Sequence, residues 1–71
     1  MIKDFIRSEF QKKIGVMPTE EIVERLYKEF LRVKEEYIRM GFKEDEAEVL
    51  AKGTIRNAIE SGRAILRLRR I

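Results

Sequence analysis

Seventy-one residues, 44% of them hydrophobic and 41% charged, make one small domain of a size that buries only about 60% of the surface exposed by its unfolded chain. The absence of cysteine and histidine excludes disulfides and the usual zinc and haem ligands, so regular helix packing or self-association must compensate for a thin core. The formal net charge of +3 is unevenly laid out: residues 1–18 sum to +2, residues 19–48 to −4 and residues 49–71 to +5, with four arginines and no acid in the last nine positions.

Abundant glutamate, lysine and arginine beside a single asparagine, Asn57, and a single glutamine, Gln11, is a composition reported for proteins of hot environments, and a thermophilic source is expected. No apolar run approaches the roughly 18 residues that span a bilayer. The start Met1, Ile2, Lys3, Asp4, Phe5 is charged and then amphipathic, unlike a signal peptide. A cytoplasmic protein is expected.

Ile2, Phe5, Ile6, Phe10 and Ile14 recur at helical spacings and predict a short amphipathic first helix. Gly15 can end it in the left-handed conformation, and Pro18 requires it to be over by Met17. Thr19 then caps a second helix whose first turn holds Glu20 and Glu21, where the helix dipole favours anions.

The second helix is the organising stretch of the chain. Val23, Leu26, Phe30, Val33, Tyr37 and Met40 recur at alternating spacings of three and four, which draws one apolar seam along one helix. Glu21 with Arg25, Glu24 with Lys28 and Glu35 with Arg39 mark the wet face. Gly41 followed by Phe42 fits a Schellman ending in which the aromatic packs back on the last turn.

Met40, Gly41 and Phe42, with Ala47 and Leu50 beyond, resemble the first loop of ubiquitin-associated domains over about ten residues. That resemblance implies a surface around Met40, Gly41 and Phe42 that binds an apolar patch on a partner. Lys43 stands where a capping serine or threonine is expected, and the preceding helix is too long for those domains. A helix stop explains the same three residues, and no family is assigned.

Lys43, Glu44, Asp45 and Glu46 lead into a third helix through Ala47, Leu50, Ala51, Ile55, Ala58 and Ile59, with Asp45 the best candidate cap. Gly53 and Gly62 leave three paths open, since each costs about 1 kcal/mol inside a helix. One long helix from Glu44 to Arg70 is favoured; a break at Gly53 with Thr54 capping a fourth helix, or a short edge strand after Gly62, are the alternatives.

The expected architecture is therefore all-α: one domain over residues 1–71, a small helical bundle of a short first helix and an antiparallel pair of long helices. A long seam with one short helix to cover it implies completion by oligomerisation, with Val23, Leu26, Phe30, Val33, Tyr37 and Met40 as the oligomer seam.

Catalysis is poorly supported. The usual proton shuttle and the usual soft nucleophile are both missing, a glutamate–histidine metal motif cannot exist, and Glu44, Asp45, Glu46 and Glu48 lack the spacing of a calcium loop. No enzyme, cofactor or metal is expected. On a helix Arg63, Arg67 and Arg70 form one row, flanked by Arg56 and Arg69 and preceded by Lys52, able to meet a row of carboxylates or successive phosphates. The leading expectation is a non-enzymatic interaction or assembly protein, a homo-oligomer docking this basic helix on an acidic partner. The alternative is a small nucleic-acid-binding protein using Lys52, Arg56, Arg63, Arg67, Arg69 and Arg70. If Thr54 capped a recognition helix, Arg56 and Asn57 would sit where base edges are read.

Overall fold

A computed structural model describes the backbone of residues 1–69 and the side chains of residues 1–62. Within that range the chain is all-helical: α1 (Ile2–Ile14), α2 (Glu20–Arg39) and α3 (Glu44–Arg69), with no strand among the described residues. Each helix packs against the other two.

The turns follow from local chemistry. Gly15 sits at φ 96° and its N–H donates to the Gln11 carbonyl at 2.9 Å, closing α1 in a conformation that side-chain-bearing residues avoid. Thr19 is extended at φ −72°, ψ 162°, and its hydroxyl accepts from the Ile22 N–H at 3.2 Å, as an N-cap requires. At the end of α2, Gly41 takes φ 105°, the Phe42 N–H donates to the Tyr37 carbonyl and the Gly41 N–H to the Ile38 carbonyl. The Phe42 ring stands edge-on to Tyr37 with centroids 5.6 Å apart. That is the Schellman ending, hydrophobic contact included.

The start of α3 differs from expectation. Lys43 holds the cap position, and Glu46, three residues on, reaches back to accept its N–H at 3.0 Å. This is the glutamate half of a capping box, so a lysine suffices where no hydroxyl is present. Asp45 lies in the first turn.

The core joins Ile6 and Phe10 of α1, Val23, Phe30 and Val33 of α2, and Ala51, Ile55 and Ile59 of α3, with Ala47 also fully buried. The seam of α2 is thus covered within the chain at Val23, Phe30 and Val33, half-covered at Leu26 and Tyr37, and open at Met40. It needs less outside cover than the short α1 suggested, because Ala51, Ile55 and Ile59 of α3 join the same buried cluster.

Gly53 does not break α3. Thr54, the alternative cap, instead donates its hydroxyl to the Leu50 carbonyl one turn back at 3.2 Å, which is a mid-helix arrangement. A Cβ at Gly53 would meet nothing within 4 Å, so no close packing demands the glycine within this chain.

Candidate functional site

Helix α3 reads in steps of four, and each step has a different character. Ala47, Ala51, Ile55 and Ile59 are buried; Glu48, Lys52, Arg56 and Glu60 are charged; Val49, Gly53, Asn57 and Ser61, with Leu50, Thr54 and Ala58 beside them, are uncharged and lie at least partly in solvent. Because 3.6 residues complete a turn, these rows run side by side along the helix.

The charged row faces α1. Arg56 Nε donates to Glu9 Oε1 at 2.8 Å, Lys13 Nζ lies 2.6 Å from Glu60 Oε1, and Lys52 and Arg56 both stand over the Phe5 ring, at 5.5 and 5.6 Å from its centroid. Such cation–ring contacts draw on the quadrupole of the aromatic face. Lys52 also lies 3.6 Å from Glu48 on its own helix. Glu9 is the only buried charged residue among those described, at 7% exposure. The Arg56 hydrogen bond, reinforced by the nearby Lys12, holds its carboxyl below the usual carboxylate range despite the opposing effect of burial.

Glu9 was not singled out from the sequence, although a signal was there. It stands four residues after Phe5 and three after Ile6, on the apolar stripe of α1. A lone carboxylate on such a stripe requires a cation from another element.

Among the other ion pairs, Lys3 reaches from α1 to Glu24 of α2, which raises the lysine and lowers the carboxyl through their shared hydrogen bond. Glu24 is thereby engaged across helices in place of the expected pairing with Lys28. Arg32 bridges Glu29 and Glu36 along α2, and the Glu29 hydrogen bond raises its already high pKa. Glu21 with Arg25 and Glu35 with Arg39 pair as the spacing predicts, at 3.3 and 3.8 Å.

Of the six basic residues singled out from the sequence, Lys52 and Arg56 therefore serve contacts within the chain. The side chains of Arg63, Arg67 and Arg69 lie outside the described residues, although the α3 backbone runs through all three, and Arg70 lies outside altogether. Among the residues whose side chains are described, Ile59 is the last buried one of the row. In sequence Arg63 and Arg67 follow it in steps of four, while Leu66 stands seven residues on.

At the opposite end of α3 the turn after α2 leaves an open groove lined by Phe42, Asp45, Glu46, Val49 and Leu50. Val49 is 69% exposed, and Met40 nearby in sequence is equally so. Asp45 and Glu46 accept only backbone N–H groups, from Glu46 and Lys43, and neither has a cationic partner among the described residues. Glu44 and Glu48, by contrast, flank Lys34 of α2 at 3.4 and 3.8 Å.

Among the described residues no group of acidic side chains is placed to hold a metal ion, and no helix is long and apolar enough to cross a membrane. No protein-family model, curated protein or solved structure matches the chain.

Proposed function

We propose that this chain is a non-enzymatic assembly protein of the cytoplasm, a small helical oligomer that docks the basic end of α3 on an acidic partner. In this reading the two long helices run antiparallel about the Gly41 turn. Lys34 in the second half of α2, within reach of Glu44 and Glu48 at the start of α3, supports that arrangement.

One observation carries the functional reading: the α3 backbone continues as one helix to Arg69, so from Arg63 on the arginines of the sequence fall at helical spacing. Lys52 and Arg56, which precede that point, are used internally by Glu48, Glu9 and Phe5. A helix whose last turns carry arginine and leucine in sequence suits a partner that is acidic and partly apolar.

The test is binding of labelled duplex and single-stranded DNA and RNA across a salt series, with the Arg63→Glu, Arg67→Glu variant beside the parent. The expected result is no salt-dependent nucleic-acid binding by the parent, and weakened protein association in the variant. A log–log slope of about −3, abolished in the variant, corresponds to roughly three neutralised phosphates. It would overturn the assembly reading in favour of a nucleic-acid-binding protein.

A further inference from the structure

Three stretches in and beside α3 bear on a partner. The groove of Phe42, Val49 and Leu50 is apolar and open, and Asp45 and Glu46 beside it are acidic without a cation. The uncharged row running away from that groove is made of small residues, Gly53, Thr54, Asn57, Ala58 and Ser61, and Gly53 occupies open space where alanine would favour the helix. The far end of the same helix carries, in sequence, Ile65, Leu66 and Leu68 interleaved with Arg63, Arg67 and Arg69.

The two ends are complementary in both charge and apolarity, yet they cannot meet within one chain. Helix α3 is continuous over 26 residues, which at 1.5 Å per residue holds its ends about 39 Å apart. A second copy laid antiparallel along the uncharged row brings each basic end beside the other's acidic groove. Two-fold symmetry then satisfies both ends at once, and no surface is left to propagate into a fibre.

Resting on the assembly reading, we propose that the acidic partner of the basic end is the Phe42, Asp45, Glu46, Val49, Leu50 groove of a second copy of this chain. The small residues at the middle of the helix allow the two α3 backbones to approach closely, in the way that small residues do wherever helices cross tightly. The two-fold axis then falls near Asn57, midway between groove and basic end, and Gly53, needless for the monomer, lies opposite Ser61 of the second copy.

The experiment is sedimentation equilibrium of the full chain, with helicity checked by circular dichroism. The parent is expected at twice its 8.5 kDa mass. Val49→Arg changes an exposed side chain and should leave the fold intact while weakening the dimer by about tenfold or more, since it sets a cation in the groove against the basic end of the second copy. Gly53→Gln is expected to move two readouts in opposite directions: higher thermal stability of the monomer from better helix propensity, and weaker association because a long side chain now stands in the small-residue row. The deciding pair is Asp45→Arg in one chain and Arg67→Glu in another. Each alone should dimerise poorly, and their mixture should form a heterodimer of parental affinity.

A mixture no tighter than its components, or a parent dimer indifferent to Val49→Arg and Gly53→Gln, would overturn this inference while leaving the assembly reading standing. A parent that stays monomeric at millimolar concentration would overturn it as well. Failure of the assembly reading itself is read separately, in the nucleic-acid titration.

Discussion

The charged and uncharged rows of α3 lie side by side on one helix and meet opposite fates. Glu48, Lys52, Arg56 and Glu60 each have an opposite charge within 4.0 Å, three of the four through α1 or α2. Among the described residues no helix covers Val49, Asn57 or Ser61, and Val49 remains mostly in water. Charged side chains thus face a neighbour while uncharged ones face solvent. Polarity alone therefore does not tell which side of a helix is covered: a long charged side chain can set its cationic head over an aromatic ring and pair with a carboxylate as well, as Lys52 and Arg56 do at Phe5.

The comparison depends on α3 keeping its rotation about the core, and the largest effect comes from releasing it. Phe30, 2% exposed, is among the largest buried side chains. Phe30→Ala should cost about 3 to 5 kcal/mol and unfold so small a domain, as read by the urea midpoint. A variant that remains cooperatively folded at room temperature would mean that the rotation is held elsewhere.

Breaking the charged row is next. Glu9→Ala removes the buried acceptor of Arg56, and because Arg56 is half exposed and can turn to water, the cost should be about 1 to 2 kcal/mol. Lys3→Ala, on the α1–α2 side, should be milder.

The same carboxyl sets a pH dependence. Its folded pKa lies below the ordinary value, held there by Arg56, so its contribution is fully present above the unfolded carboxylate value of about 4.3 and is lost as pH falls through the lower folded value. The stability of the parent to chemical denaturant should therefore fall below about pH 4. Glu9→Gln, which can still accept from Arg56 but does not titrate, should start less stable and show a shallower acid limb. Equal slopes would show that other carboxylates, Glu24 among them, carry the acid sensitivity.

The uncharged row is sharpened by two glycines of opposite sign. Gly53→Ala, in open helical space, should raise stability by about 0.5 to 1 kcal/mol at concentrations where the chain is monomeric. Gly41→Ala forces a side chain into φ 105° and should lower it by about 1 kcal/mol. Thermal midpoints measured together separate the helical glycine from the turn glycine, even though both positions have room for a methyl group.

Much of the fold was legible because its signals are short-range. The caps at Gly15, Thr19 and Gly41 are decided by backbone dihedrals and by hydrogen bonds spanning no more than five residues, and the apolar spacing of α1 and α2 marks their buried faces directly. The basic end of α3 was equally legible as a pattern of charge. Less legible were the start of α3, where Glu46 compensates for the missing capping hydroxyl, and the passage through Gly53, where a cost of about 1 kcal/mol is too small to decide between a kink and a continuous helix.

By itself, then, the sequence determined the amphipathic helices α1 and α2 with their ends, and a chain acidic in its middle and basic at its close. Tertiary structure alone decided that Glu9 meets Arg56 across 47 residues, that the α2 seam is covered mostly from within, and which row of α3 is left bare. The reason is physical: a helix end is fixed by its own neighbours in the chain, whereas the rotation of a helix about its axis is fixed only when other helices compete for its faces. On α3, alanine and isoleucine win the core, the charges find α1, and the remaining small row is what the bundle leaves to solvent.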